Sequence, residues 1–262
     1  MCIEKPVGQG GANNRADSKV VQALLNENLY RLMPFAPLIV DGNPGGRTME
    51  MISEFQGRVF PQTAATGHVD PASPTLRELR SGMTAGLTAC KLQAIMTTAS
   101  QADILRYFQP LAASMATSRI TTPLRMAHFL AQVGHESGHL RYTEELAAGD
   151  AYEGRADLGN TQPGDGTRFK GRGLIQLTGR ANYIAFGAAR RRDFVTGADN
   201  LLIAIDANLA VDVSCWFWTT HNLNALADAD DLKAITQKIN GGCNGLTDRA
   251  DNLKRARCLL GA

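Results

Sequence analysis

Two short segments hold most of the reactive side chains of this sequence: HESGH at 135 to 139 and FKGRGLIQLTGRANY at 169 to 183, with Glu144 and Glu145 between them. A carboxyl on a helix, further carboxylates just downstream and a wall rich in Gly, Gln, Thr and Asn are what cleavage of a sugar polymer requires. By inversion, that reaction needs one protonated carboxyl at the leaving oxygen and one ionised carboxylate that activates water, about 6.5 to 9.5 Å apart. HESGH also satisfies HExxH, in which two histidines one helical turn apart hold zinc.

The helix that carries these residues is readable. Thr122-Pro123 pairs a capping hydroxyl with proline at the first helical position, which predicts a helix over 123–137. Met126, Phe129, Leu130 and Val133 form one apolar stripe, and Glu136 lies roughly 70° from its middle. A carboxyl on that flank is partly desolvated, which favours its neutral form and suits a general acid. A negative charge is also unwelcome at a helix C-terminus, so its presence there asks for another reason. His128, His135 and His139 project to the opposite face. Zinc is disfavoured because Gly138 reads as a helix stop, because Glu136 and the histidines lie on different sides, and because no third ligand is clearly placed. No metal and no cofactor are expected.

Glu144, Glu145, Asp150, Glu153 and Asp157 are all candidates for the second carboxylate, and spacing alone does not choose. The GDGTRFKGRG stretch lacks a preceding strand and a GK[ST], which argues against a phosphate loop. Its glycines let backbone approach a ligand, and Gln176, Thr178 and Asn182 supply donors and acceptors suited to acetamido sugars and to holding a water. The alternative is a polar turn bonded to itself.

These segments sit in a chain of 262 residues, longer than the roughly 150 usual for one domain, which favours two. With 44% apolar and 20% charged residues it should be globular, and a net charge of +2 gives no reason to expect nucleic acid. The basic run Arg168, Lys170, Arg172, Arg180, Arg190, Arg191 and Arg192 reads as a solvated face or as attraction to an anionic polymer. Residues 17 to 82 predict a small helical module: a helix capped by Asp17 or Ser18 with Val21, Leu24, Leu25, Leu29 and Leu32 inward, a turn at 41–46, a second helix capped by Thr48, and a brief third around Leu76 and Leu79. Helices follow at 89–97, 101–116, 206–219 and 231–239, with loops at 141–171 and 187–199. The expected class is all-α. Trp216 and Trp218 are expected in the core. Five unevenly spaced cysteines without a CxxC suggest free thiols, with Cys243 and Cys258 a pair that could close under oxidising conditions. No segment has signal-peptide or membrane-span character, so the expectation is a monomer made in the cytoplasm without stable membrane insertion.

The pattern VQALLN, VDG, Gly-rich turn, Thr48, Ile52 and Phe55-Gln56 resembles the peptidoglycan-binding module found beside bacterial and phage wall hydrolases. AHFLAQVGHESG, the TEE at 143–145, FKGRGLIQLTGRANY, the Trp216-Phe217-Trp218 helix and INGG at 239–242 resemble, in that order, family 19 glycoside hydrolases, most closely the peptidoglycan-degrading endolysin branch. The resemblance implies a three-helix wall-binding module over 1–82 and a lysozyme-like catalytic domain over 88–262. It implies Glu136 as general acid, Glu145 as general base and Thr178 as holder of the nucleophilic water. Gln176, Asn182, Asn240 and Arg249 would line the sugar cleft or order the carboxylates, Tyr183 would sit beside it, and His135 counts with the substrate-binding residues. Ala181, where chitinases often carry tyrosine, and a short loop between the carboxylates fit a peptidoglycan enzyme better than a plant-type chitinase. The expected protein is thus an endolysin that cuts the β-1,4 bond of peptidoglycan in the periplasm after release from the host cytoplasm. A chitinase, an HExxH zinc peptidase and a catalytically dead binding protein are the rivals.

Overall fold

The computed structural model describes residues 2–262 and is mainly α. Packing divides the chain into two compact units: one runs to Thr97 and takes in Ala250–Ala262, and the other is Thr98–Arg249.

In the first unit, β1 (Val7–Gly8) pairs antiparallel with β2 (His68–Val69) beside α1 (Arg15–Glu27), α2 (Gly46–Val59), α3 (Pro74–Ser81) and α4 (Ala89–Ile95). Both expected caps are displaced. Asn14, not Asp17 or Ser18, caps α1, because the Asp17 carboxylate accepts the backbone N–H groups of Glu4 and Lys5. Gly45 caps α2, and Thr48 is buried in its first turn. Val20, Val21, Leu24 and Leu25 of α1 pack with Met51, Ile52, Phe55, Leu76 and Leu79 in the core. Gly42 holds φ +81°, and a Cβ there would meet the Arg15 carbonyl at 2.7 Å, so the turn requires glycine.

The sequence reading puts the join between 82 and 88, whereas packing puts α4 with the first unit. Lys91 on α4 reaches the Glu27 carboxylate of α1 at 3.4 Å, and both side chains are buried. Thr84, Thr88 and Cys90 also donate to that carboxylate. Residues 250–262 belong here because Cys258 forms a disulfide with Cys2, their Cα atoms 5.1 Å apart. This corrects both the free-thiol expectation and the suggested Cys243–Cys258 pair; Cys90, Cys215 and Cys243 are free.

The second unit comprises α5 (Gln101–Thr117), α6 (Pro123–Glu136), α7 (Asp165–Arg168), α8 (Arg180–Arg190), α9 (Leu202–Ile205), α10 (Ala207–Thr220), α11 (Leu223–Asp228), α12 (Leu232–Asn240) and the start of α13 (Leu246–Leu260). α8 takes the first residues of the expected 187–199 loop. Thr122 caps α6 by accepting the Arg125 N–H, Pro123 opens it, and the stripe Met126, Phe129, Leu130, Val133 is buried as its spacing predicts. Trp216 and Trp218 are core residues: Trp216 packs with Phe186, and Trp218 meets Phe129 edge-on with ring centroids 5.3 Å apart.

Candidate active site

α6 stops at Glu136. Ser137 caps it and turns its hydroxyl back onto the Val133 carbonyl at 2.6 Å, and Gly138, His139 and Leu140 all have φ between +57° and +71°. Such backbone cannot continue a right-handed helix. The uninterrupted turn that HExxH needs is therefore missing, and its two histidines have separate partners. His135 Nδ1 lies 2.7 Å from Asp248 Oδ2, while His139 Nδ1 accepts the Thr98 N–H at 3.1 Å. This geometry removes the zinc-peptidase reading.

The helix end instead presents Glu136, with a side chain 16% exposed, to the wholly buried guanidinium of Arg249. Arg249 Nη2 donates to Glu136 Oε1 at 2.5 Å, and its Nη1 donates to Gln132 Oε1. Gln132 is in turn bonded to Thr236 of α12 at 3.2 Å. Gln132 and Glu136 are one helical turn apart, so both reach the same fork. Among the described residues, the hydrogen bonding of Glu136 falls on Oε1 and leaves Oε2 open. Here the opposite charge of Arg249 supplies the reason for an acid at a helix C-terminus.

Glu144 and Glu145 lie on a short extended segment that pairs with residues 171–173, which pair in turn with Leu177. Neighbouring side chains on extended backbone point to opposite sides, and the two acids separate accordingly. Glu144 Oε1 is taken by Arg172 at 3.0 Å and Lys170 at 3.5 Å, as counter-charge to an arginine only 3% exposed. Glu145 accepts the Tyr152 hydroxyl at 3.0 Å on Oε1 and the Gly171 N–H at 3.2 Å on Oε2. A Cβ on Gly171 would meet Gln176 Oε1 at 2.7 Å and Glu145 Oε2 at 3.4 Å, so glycine is what lets that carboxylate and amide share the wall.

Within the wall, Gln176 holds φ +59° and donates to the Gly173 carbonyl, Thr178 Oγ1 donates to the Gln176 carbonyl at 2.9 Å, and Asn182 donates to the Thr178 carbonyl at 2.7 Å. The polar turn is thus bonded to itself, with Asn182 exposed and Gln176 Oε1 directed toward Gly171 and Glu145. Asn240 is exposed at the end of α12. Two of the expected site residues are buried. Tyr183 is fully buried, and its hydroxyl donates to the Lys170 carbonyl, so it supports the wall from behind and offers no surface to a sugar. Burial pushes its phenol up to about 12. Arg249 is likewise buried and orders Glu136. Of the basic run, Arg172 and Arg180 are largely buried against Glu144 and Asp165, whereas Arg190, Arg191 and Arg192 stay exposed, Arg190 paired with Asp212 and Arg192 with Asp199 at the surface.

The sequence reading passed over Gln132, Tyr152 and Asp248. Gln132 was findable four residues before Glu136 on one helix face. Tyr152 and Asp248 carry no local signal.

The family model for glycoside hydrolase family 19, described as chitinase class I, matches residues 87–229, more than half of the chain. The chain belongs to glycoside hydrolase family 19. As a family 19 protein it is an enzyme, a glycoside hydrolase acting on polysaccharide. A family 19 domain-containing protein of Haemophilus influenzae is 31% identical over 173 residues, 54% of this chain and 83% of its own. An endochitinase of Arabidopsis thaliana is 38% identical over 122 residues, 46% of this chain but only 40% of its own length. Among solved structures, a bacterial family 19 chitinase superposes with a TM-score of 0.55 at 24% identity, over 67% of this chain and 95% of that one. Chitinase C of Streptomyces griseus gives 0.55 at 23% identity, over 67% and 92%. These two share the fold, and the lysozyme-like family 19 architecture is thereby established for this chain.

Proposed function

We propose that this family 19 enzyme is a peptidoglycan hydrolase, an endolysin-type muramidase that cuts the β-1,4 bond between N-acetylmuramic acid and N-acetylglucosamine with inversion. In this reading Glu136 gives its proton to the leaving glycosidic oxygen as the C1–O bond breaks. Glu145 takes a proton from the water that attacks C1 from the opposite side, and Thr178 holds that water. Gln176, Asn182, Asn240 and His135 serve the sugar. The observation that carries the reading is the division of labour in the acidic pair: Glu144 neutralises Arg172, while Glu145 alone faces the Gly171–Gln176 wall.

Two features favour the cell wall as substrate. The residues before the family match include a compact helical unit that resembles a wall-binding module, and tethering raises enzyme concentration on an insoluble polymer. The Cys2–Cys258 disulfide suits action in an oxidising compartment such as the periplasm, after release from the cytoplasm that makes the protein.

The endochitinase relatives favour a second reading, hydrolysis of chitin by the same residues. Purified sacculi and soluble chitin oligomers separate the two. The proposal expects sacculi to be cleared, with mass spectrometry of the released muropeptides finding new reducing ends on N-acetylmuramic acid. Replacing Glu136 by Gln should abolish clearing. Activity on chitin oligomers with none on sacculi would give the function to the second reading.

A further inference from the structure

A cavity of about 450 Å³ lies within the first unit, lined by Cys2, Arg80, Leu253, Lys254, Arg257 and Cys258 among others. Its lining has three cationic side chains and no acidic side chain among the described residues, and Ala262 brings the terminal carboxylate to the same wall. Arg80 donates from Nε to the Cys258 carbonyl at 3.4 Å, and its two terminal nitrogens have no protein partner among the described residues. Lys254 Nζ is held by Glu4 at 2.6 Å. A smaller adjoining cavity shares Cys2 and Arg80 and adds Arg77 and Leu76.

Volumes of roughly 300 to 1,000 Å³ admit small ligands. Like charges gathered in a concave wall focus a positive potential, and an open guanidinium fork pairs with a carboxylate through two parallel hydrogen bonds. Leu253 and the disulfide give the same cavity an apolar side that a methyl-bearing group can cover.

We propose that this cavity binds the carboxylate of a wall peptide stem and so serves as an anchoring subsite remote in sequence from Glu136 and Glu145. The assignment rests on peptidoglycan being the substrate. It makes Arg80 the recognition residue, with Arg257 on the same wall and Lys254 already paired with Glu4.

Calorimetric titration of the full chain with N-acetylmuramyl-L-alanyl-D-isoglutamine, which bears one free carboxylate and no internal glycosidic bond, tests it. Binding should weaken at least tenfold in R80Q, recover in part in R80K, weaken in R257Q, and fall as sodium chloride is raised. The analogue with that carboxylate amidated should bind at least tenfold more weakly to the unaltered protein, a comparison that holds even if R80Q fails to fold. Equal binding of the amidated analogue, undiminished affinity in a folded R80Q, or binding of inorganic phosphate without binding of the muropeptide would each overturn the assignment. Because the probe cannot be hydrolysed at a glycosidic bond, the result is independent of the catalytic reading. Sacculi cleared normally without muropeptide binding would remove this inference alone, and binding without clearing would remove only the muramidase reading.

Discussion

Arg249 Nη2 donates to Glu136 Oε1 at 2.5 Å across 113 positions of sequence, and the same guanidinium holds Gln132. Removing that guanidinium strands the mostly buried Glu136 carboxylate and the Gln132 side-chain carbonyl without their donor. R249Q is expected to destabilise the protein by about 3 to 5 kcal/mol, the usual effect of removing one member of a buried pair. R249K keeps the charge but loses the planar fork, so it can no longer hold both partners in register. It should cost less stability than R249Q yet lower activity on sacculi by about tenfold or more, because Glu136 is no longer aimed. Urea unfolding beside reducing-sugar release measures both effects. Unchanged activity in R249K would show that the pair is structural only.

The neighbouring acids should give opposite phenotypes. E145Q is expected to fold with near-normal stability and to lose activity by about 10²-fold or more, the scale of a missing general base. E144Q leaves the buried Arg172 without its counter-charge, so it should lose stability, by about 1 kcal/mol once screening at a 41% exposed carboxylate is allowed for, while keeping most of its activity. A reversed pattern would transfer the base role to Glu144.

Two buried groups of the first unit should shape its stability against pH. Burial opposes ionisation of Glu27, but hydrogen bonds from Cys90, Thr84 and Thr88 and the charge of Lys91 outweigh it and hold the carboxyl below its ordinary 4.5. That stabilisation is present above pH 4.5 and is lost as the pH falls through the folded value. Lys19 runs the other way. Burial, helped by the charge of Arg15, pulls its ammonium from 10.5 to about 8, so the folded chain releases a proton that the unfolded chain still holds. Stability should therefore rise with pH between about 8 and 10.5. E27Q should flatten the acid limb of a melting-temperature profile, and K19M should flatten the alkaline rise while gaining about 1 kcal/mol at pH 7. A K19M profile that keeps the rise would show that another group causes it.

What the sequence made legible was what short-range rules determine. Thr122-Pro123 and the stripe through Val133 placed α6 and put Glu136 at its end, because caps and helical periodicity act within one or two turns. The choice between Glu144 and Glu145 was not legible, since it depends on the register of their segment against residues 171–173, some 28 positions away. Tyr183 looked like a cleft residue because it ends the motif that forms the wall; that α8 turns it inward is set by Phe169 and Phe186 in the core it joins. α13 was overlooked because the charges of DRADNLKRAR hide the narrow stripe of Leu253, Ala256 and Leu260. The terminal cysteines gave no spacing signal, being separated by 256 residues.

That last pairing is also the most directly countable. Alkylation in denaturant without reductant should label three cysteines, Cys90, Cys215 and Cys243, and all five after reduction. In the native protein Cys243 should react first, because it is exposed, whereas burial pushes the thiols of Cys90 and Cys215 up to about 12 and leaves little thiolate at neutral pH. Reduction, or C2S, removes the restraint of a loop closed over 256 positions and should lower stability by about 2 to 5 kcal/mol. A proteolytic digest should yield one cross-linked peptide joining Cys2 to Cys258. If Cys258 is recovered joined to Cys243 instead, the last turns of α13 cannot be held against the N-terminal segment as observed, and the basic cavity that Cys2 and Cys258 line would lose one of its walls.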